Sequence, residues 1–167
     1  MSNGLYVMMG VSGSGKTVIG SALARSLGVE FVEGDDFHPE ENVKRMASGI
    51  ALTDEDRAPW LGSIAARLRA AKDAGTGLVM SCSALKRSYR DYLRAEAGEL
   101  HFIFLKGPRA LIAERLAGRT RHFMPQSLLD SQFAALEAPQ ADEGVWECDV
   151  RESPPDLVAA LVSRAST

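Results

Sequence analysis

The sequence predicts an α/β fold in which a five-stranded parallel sheet is covered by helices on both faces. Three observations lead to this prediction. Short, continuously apolar segments alternate with longer segments whose apolar residues recur at helical spacing, and Gly and Pro separate them. This alternation is typical of strands joined by right-handed helical crossovers. Such sheets bind ligands at the carboxyl ends of their strands, so we expect the functional residues there.

The strands are predicted from short apolar runs between turn residues. Leu5–Met9 is too short for a buried helix and lies between Gly4 and Gly10, and the turn at Gly75 to Gly77 introduces the third run. The predicted strands are Leu5–Met9, Phe31–Val32, Leu78–Cys82, His101–Leu105 and Val145–Val150.

The helices are predicted from apolar spacing and from their start and stop residues. Apolar residues recur at helical spacing after Gly15 until Gly28 ends the pattern, Pro39 suits a first helical turn, and Thr53 is a suitable N-cap. The predicted helices run from just after Gly15 to Leu27, from Pro39 to about Ser48, from about Thr53 to Ala74, from Arg87 to Ala97, from about Arg109 to Leu116, from about Gln126 to Ala138 and from Pro155 to about Arg164; Ala117 to Pro125 is basic and irregular.

Length, charge and cysteine content limit the possible functions. The 167 residues correspond to one domain, so we expect residues 1–167 to form a single unit. The net charge is −3 and there is no basic tail, so neither nucleic acid nor a membrane is an expected partner. Cys82 and Cys148 form no disulfide or zinc pattern, and no apolar run approaches the roughly 18 residues of a membrane span. We expect a cytoplasmic protein.

A glycine-rich loop between the first strand and the first helix carries the strongest functional signal. Its residues fit the pattern G-x-x-x-x-G-K-[ST]. In this pattern backbone N–H groups surround a phosphate, the Lys neutralises phosphate charge, and the Ser or Thr hydroxyl binds Mg²⁺. The motif indicates a three-layer fold of the P-loop NTPase type, which binds the phosphates of a nucleotide together with Mg²⁺. The predicted nucleotide-binding residues are Gly10, Val11, Ser12, Gly13, Ser14, Gly15, Lys16 and Thr17.

The rest of the sequence restricts the class of P-loop protein. There is no Asn/Thr-Lys-x-Asp segment for reading guanine, which argues against a switch GTPase. The third predicted strand ends without the Asp that holds Mg²⁺ in many P-loop ATPases. Either Glu33, Asp35 or Asp36 after the second strand supplies this function, or the site lacks it.

Several further motifs resemble those of the gluconokinase family across nearly the whole chain. They are Glu33-Gly-Asp-Asp-Phe-His-Pro39, Met46-Ala-Ser-Gly49, Leu52-Thr-Asp-Glu-Asp-Arg-Ala-Pro-Trp-Leu61, Cys82-Ser-Ala-Leu-Lys86, Tyr89-Arg-Asp91, Arg119-x-x-His-Phe123 and Ser131-Gln-Phe133. The resemblance implies ATP-dependent, Mg²⁺-dependent phosphorylation of the 6-hydroxyl of D-gluconate by a protein that commonly forms a homodimer. The rival interpretations are a kinase of the same fold for another small hydroxy acid or sugar acid, and a nucleotide-binding regulatory protein without turnover.

Asp35 matches the position of the carboxylate that meets the substrate hydroxyl in similar kinases. We therefore expect it to orient, and in one version deprotonate, the attacking hydroxyl. In the alternative, Asp35 holds Mg²⁺ through water and Glu33 or Asp36 takes the other role. The predicted catalytic residues are Lys16, Asp35 and Arg119, and the predicted metal-binding residues are Thr17, Glu33 and Asp35.

Gluconate carries one carboxylate and several hydroxyls, so its site needs cations and hydrogen-bonding groups. His38 either binds the substrate or makes a helix-entry contact, and Arg45 and Arg57 are either carboxylate-binding forks or ordinary helix charges. Ser83 and Lys86 follow a strand end and could reach the acceptor. The predicted substrate-binding residues are Asp35, His38, Arg45, Arg57, Ser83, Lys86 and His122.

The basic segment at about 117–125 corresponds to the lid that similar kinases close over ATP. Arg115 and Arg119 are the predicted lid-side nucleotide ligands, and Arg119 is the first choice for stabilising charge on the transferring phosphoryl group. Arg121 departs from the family motif, which often has a small residue there. Trp60 and His101 are expected to be structural, and Cys82 to be an inert buried thiol.

Overall fold

The computed structural model describes residues 3–118 and 126–167 and contains a five-stranded sheet with every strand pair parallel. The strand order is β2-β3-β1-β4-β5, so the predicted fold class is confirmed. The strands are β1 (Leu5–Met9), β2 (Glu30–Glu33), β3 (Leu78–Ser81), β4 (His101–Lys106) and β5 (Trp146–Asp149).

Seven α-helices and two short 3-10 helices lie within the described residues. The 3-10 helices span Gly34–Phe37 and Ala141–Glu143. The α-helices are α1 (Lys16–Leu27), α2 (Glu40–Ala47), α3 (Asp54–Ala74), α4 (Arg87–Ala97), α5 (Arg109–Ala117), α6 (Gln126–Ala135) and α7 (Pro154–Ala165).

The two faces of the sheet bury separate apolar clusters, which gives three layers. Val7 and Met9 of β1 point to the face covered by α3 and α4, where Ile64, Leu68 and Leu93 are fully buried. The alternate β1 residues point to the face covered by α1 and α7, because side chains alternate along a strand. A third cluster lies around the P-loop and joins Val11 to α5 and α6.

Tertiary contacts explain two differences from the predicted boundaries, and one predicted loop is a short helix. Helix α6 ends at Ala135 rather than Ala138, because the N–H of Glu137 leaves the helix to donate to Leu85 O over 2.8 Å. Strand β2 is longer than predicted, because residues Glu30 to Glu33 pair with β3 in register. The acidic segment after β2 is a 3-10 helix instead of a loop.

Within residues 3–118 and 126–167, no helix combines the length and the apolar character needed to cross a membrane.

Candidate active site

The P-loop connects β1 to α1 at the carboxyl end of the sheet. Gly10, Gly13 and Gly15 have positive φ angles of 145°, 82° and 104°, which side chains with a Cβ rarely adopt. A Cβ on Gly13 would also lie 3.3 Å from Ile112 and Leu116 of α5. These glycines therefore give the loop its curvature and let it lie close to α5.

Lys16 begins α1 and folds back over the P-loop. Its Nζ donates to Gly10 O at 2.8 Å and to Val11 O at 3.1 Å, so the ammonium group is held at the loop. The Ser14 residue is 1% exposed, and its hydroxyl has no hydrogen-bonding partner among the described residues. Buried hydroxyls are normally paired, so this one retains bonding capacity inside a loop of the phosphate-binding type.

Two side chains beside the P-loop, Thr17 and Glu33, carry oxygen atoms that can bind a metal ion. The Thr17 hydroxyl donates to Oε2 of Glu33 over 2.7 Å, and the Ser81 hydroxyl donates to Oε1 of the same carboxylate. Mg²⁺ prefers oxygen ligands and is held by one or two carboxylates together with waters and substrate phosphates. No cluster of three or more His, Cys, Asp or Glu residues suited to a metal ion occurs in the described part of the chain. The donor set therefore fits a Mg²⁺ ion shared with phosphate, rather than one enclosed by protein.

The acidic 3-10 helix is fixed against the end of β3 by Gly34. A Cβ on this residue would lie 1.9 Å from Ser81 O, so only glycine allows the approach. The Gly34 N–H donates to Ser81 Oγ at 3.1 Å, and its carbonyl accepts from Trp60 Nε1 at 2.9 Å. These contacts set the position from which Asp35 extends.

His38 is buried next to Asp35. Its ring stacks on Trp60 with centroids 4.3 Å apart, and its Nε2 lies 4.0 Å from Oδ1 of Asp35. Asn42 Nδ2 donates to Asp56 O at 2.8 Å and contacts His38 Nδ1 at 3.3 Å. Because Nδ1 accepts from this amide, the neutral ring carries its proton on Nε2. Burial lowers the pKa of His38, Asp35 partly offsets this effect, and Arg57 adds to it.

A cavity, here called the P-loop cavity, brings several of these groups together. Its wall contains two cations, a carboxylate, an imidazole, two hydroxyls and an amide, together with apolar side chains. Its lining residues are Ser12, Lys16, Asp35, His38, Met46, Leu52, Arg57, Trp60, Ser83, Leu85, Leu128 and Gln132. Six predicted site residues therefore meet in one place: Ser12, Lys16, Asp35, His38, Arg57 and Ser83.

Two predicted substrate-binding cations are not part of this lining. Arg45 forms an ion pair with Asp56, and Lys86 forms one with Asp54 at 2.9 Å between Nζ and Oδ1. Asp54 and Asp56 both lie in the first turn of α3, so carboxylates of the protein engage these two cations.

Trp60 and Gln132 are lining residues to which sequence analysis assigns no functional role. Trp60 is 1% exposed, so its predicted burial is confirmed, but its ring also forms a wall of the cavity. Gln132 accepts from the Ser12 N–H through Oε1 at 2.7 Å, and so links α6 to the P-loop. The Ser131-Gln-Phe133 motif was the available signal for Gln132.

The lid-side residues are only partly covered by the structure. Arg115 is exposed on the last turn of α5, the helix that packs against the P-loop. The predicted residues Arg119, Arg121 and His122 lie outside the described residues, as does most of the predicted lid.

A second cavity, here called the β4–β5 cavity, lies at the ends of these two strands and has a volume of about 640 Å³. In the strand order, β1 separates β3 from β4, so the P-loop stands between the P-loop cavity and the β4–β5 cavity. Its lining residues are Lys106, Gly107, Pro108, Glu147, Cys148, Asp149, Arg151 and Glu152.

The buried cysteine next to the site has no nucleophilic character. Burial raises the pKa of Cys82 to about 12, and the residue is 1% exposed. A thiol in this state is protonated at neutral pH and inaccessible, in agreement with the sequence-based expectation.

Comparison with known proteins decides the family. A family model described as an AAA domain matches residues 5–139. The thermosensitive gluconokinase of Escherichia coli K12 is 49% identical over 144 residues, covering 86% of this chain and 76% of that protein. The gluconokinase of Gluconobacter oxydans is 49% identical over 156 residues, covering 93% and 88%. The chain belongs to the gluconokinase family.

Structural comparison agrees with membership of the gluconokinase family. The crystal structure of a gluconokinase from Sinorhizobium meliloti 1021 superimposes with a TM-score of 0.88 at 46% identity, covering 98% of this chain and 92% of that chain. The resemblance indicated by the sequence motifs is thereby confirmed. All residues that line the P-loop cavity lie within residues 5–139, the range matched by the family model.

Proposed function

We propose that this protein transfers the γ-phosphoryl group of ATP to the 6-hydroxyl of D-gluconate, forming 6-phospho-D-gluconate and ADP. The observation that carries the proposal is the P-loop cavity, whose wall contains both P-loop residues and Asp35. The cavity has a volume of about 40 Å³ in this structure, so it must widen before a phosphate held by the P-loop and a hydroxyl held by Asp35 can meet there. Family membership supports D-gluconate as the acceptor.

The carboxylate of D-gluconate and its hydroxyls require different partners, and the P-loop cavity provides both kinds. Arg57 presents a guanidinium group, whose planar fork matches a carboxylate. His38, with its proton on Nε2, and Ser83 can donate to hydroxyls of the polyol. Arg45 and Lys86 stand outside the lining, so we assign them to the charge around the entrance rather than to direct binding.

Asp35 orients the 6-hydroxyl and accepts its proton as the bond to phosphorus forms. Lys16, held at the P-loop, neutralises charge on the phosphate oxygens. The transition state of phosphoryl transfer is loose, so alignment of the two oxygens matters more than early proton removal. Arg119, which the family resemblance places in the lid, supplies a further positive charge to the transferring group.

Thr17 and Glu33 would hold Mg²⁺, which neutralises charge on the phosphates when bound. Their oxygens are 2.7 Å apart beside the P-loop. This assigns Glu33 to the metal and leaves Asp35 for the acceptor hydroxyl, which is one of the two arrangements left open by the sequence.

The nucleoside end of ATP would occupy the β4–β5 cavity. The P-loop separates this cavity from the P-loop cavity, so phosphates on the loop connect a nucleoside on one side with an acceptor on the other. Arg115, exposed in the last turn of α5, remains a proposed nucleotide ligand.

The remaining assignments concern the protein as a whole. We propose that residues 1–167 act as one domain, that the enzyme is cytoplasmic and forms a homodimer, and that neither nucleic acid nor a membrane is a partner. The net charge of −3 supports the last of these assignments.

A coupled ADP-release assay over an acceptor panel tests the proposal. The panel contains D-gluconate, other sugar acids, shikimate, nucleoside monophosphates and a reaction without acceptor, all with ATP and Mg²⁺. Strong stimulation by D-gluconate alone is expected. Stimulation by a different acceptor would overturn the substrate assignment, and ATP binding without stimulation by any acceptor would favour a regulatory protein.

A further inference from the structure

A chain of polar contacts behind the P-loop cavity ends on Arg57. Nη1 of Arg57 donates to the Tyr89 hydroxyl over 2.9 Å, and this hydroxyl donates to Oδ1 of Asp54. The same carboxylate oxygen accepts from Lys86 Nζ over 2.9 Å. Of these four residues, Arg57 alone is among the lining residues of the cavity.

The direction of each hydrogen bond follows from the chemistry of the groups. A guanidinium group can only donate, and an ionised carboxylate can only accept, so the Tyr89 hydroxyl must accept from Arg57 and donate to Asp54. Hydrogen bonds from Lys86 and then Tyr89 lower the pKa of Asp54, so this carboxylate is ionised at neutral pH. The Tyr89 hydroxyl proton therefore has one possible direction, toward Asp54. The hydroxyl oxygen is then left to accept from Arg57, which fixes the direction of the guanidinium group.

The geometry also restrains Arg57 through its packing. Its guanidinium carbon lies 5.6 Å from the centre of the Tyr89 ring, and Lys86 Nζ lies 5.7 Å from the same centre. Tyr89 is 6% exposed, so the ring is a fixed surface. Arg57 belongs to the first turn of α3 and Tyr89 to the first turn of α4, so the contact spans two packed helices.

We infer that Tyr89 and Asp54 are positioning residues for the acceptor, holding the Arg57 fork in place for the substrate carboxylate. This inference rests on the proposed function, because it takes Arg57 as the carboxylate ligand. It also gives Lys86 a role different from the predicted one, since Lys86 acts through Asp54 rather than on the substrate.

The test is Tyr89→Phe, which keeps the ring and removes the hydroxyl. Its matched control is Tyr92→Phe, on an exposed residue of the same helix. We expect Tyr89→Phe to raise the KM for D-gluconate about tenfold, the size of one hydrogen bond to a charged group, with the KM for ATP unchanged. Tyr92→Phe leaves both constants unchanged.

Two further measurements separate positioning from a general structural effect. D-sorbitol is a six-carbon polyol without the carboxylate, so its rate should be low but equal in the wild type and in Tyr89→Phe. In an Arg57→Lys background, Tyr89→Phe should change the KM for D-gluconate less than about twofold, because both changes remove the same interaction. If Tyr89→Phe unfolds, Asp54→Asn replaces it, since the Asp54 side chain is 64% exposed.

The outcomes distinguish this inference from the function on which it rests. A wild-type protein that does not phosphorylate D-gluconate overturns the proposed function. A wild-type protein that does so, together with an unchanged D-gluconate KM in Tyr89→Phe, overturns the positioning role alone. An equal loss with D-gluconate and D-sorbitol also overturns it, because the effect would then be independent of the carboxylate.

Discussion

The Thr17 hydroxyl and Oε2 of Glu33 are joined by a hydrogen bond of 2.7 Å, which links the start of α1 to the end of β2. The second oxygen of Glu33 accepts from Ser81 at the end of β3. The carboxylate is therefore held by two elements, α1 and β3, at the carboxyl end of the sheet beside the P-loop. This arrangement presents oxygen donors where phosphate-bound Mg²⁺ is expected.

Replacing Glu33 by Gln should weaken the use of Mg²⁺. The amide keeps the size of the side chain but loses the charge that attracts the cation, so we expect the Mg²⁺ concentration for half-maximal rate to rise about tenfold or more. Glu30→Gln is the matched control, because Glu30 lies on the same strand but pairs with Arg67 at 2.9 Å. An unchanged Mg²⁺ requirement in Glu33→Gln would remove Glu33 from the metal site.

Asp35→Asn should reduce kcat by roughly 10²-fold or more, because the amide cannot accept the proton of the attacking hydroxyl. Asp36→Asn is the control, since Asp36 is the neighbouring carboxylate and is not among the lining residues of the P-loop cavity. Circular dichroism verifies that both variants fold. If Asp36→Asn loses turnover and Asp35→Asn retains it, the two assignments must be exchanged.

Lys16→Ala should reduce kcat by about 10²- to 10³-fold, because it removes a positive charge placed at the phosphates. Lys44→Ala is the control, since Lys44 is a surface residue with a side chain 75% exposed and an ion pair to Glu40. Steady-state kinetics on both variants makes the comparison. A kcat within a few-fold of the wild type in Lys16→Ala would contradict the phosphate role.

The pH dependence of stability should carry the signature of His38. Its pKa is lowered in the folded protein by burial, so below the ordinary value of 6.5 the unfolded chain binds a proton that the folded chain does not. The free energy of unfolding is therefore expected to fall as the pH decreases from 6.5 toward the folded pKa. Urea unfolding at several pH values should show a shallower loss in His38→Gln than in the wild type. Equal slopes in His38→Gln and the wild type would contradict a buried, neutral His38.

Arg90→Met should destabilise the protein by about 3–5 kcal/mol, because it removes one partner of a buried ion pair and leaves the charge of the other partner buried. Arg90 and Glu143 have fully buried side chains with Nε and Oε1 2.7 Å apart, and hydrogen bonds from Arg90 above all, with those from Gln140 N–H and Arg94, lower the pKa of Glu143 to about 2. Arg90 also donates to Ala84 O and Leu85 O, in the loop that carries Ser83. Urea unfolding measures the effect. Arg87→Met, at an exposed position on the same helix, should leave the free energy of unfolding almost unchanged, and an equally small effect of Arg90→Met would contradict the account.

The elements that the sequence predicts well are those defined by local patterns. The β1 bounds, the P-loop and the start of α1 agree with the structure because the apolar run, the glycines and the helical spacing are adjacent in the chain. Thr53 caps α3 as predicted, since its side chain accepts from the Asp56 N–H within one helical turn.

The site features that sequence analysis missed depend on contacts between distant segments. Trp60 is assigned to the core from its apolar surroundings, but its indole N–H donates to Gly34 O, 26 positions away, and its ring supports His38. Lys86 is predicted to bind substrate because it follows a strand end, and its contact with Asp54 on α3 could not be predicted from that position. Periodicity and spacing carry no information on which charges meet across two helices.

The identity of the phosphorylated position tests the central claim most directly. The protein is incubated with ATP, Mg²⁺ and D-gluconate, and the product is examined by proton-coupled phosphorus NMR. A phosphate on the terminal 6-oxygen couples to the two protons of a CH₂ group, so a phosphomonoester triplet is predicted. A doublet, which indicates a phosphate on a CH oxygen, or the absence of any new phosphomonoester, would contradict phosphorylation of D-gluconate at its 6-hydroxyl.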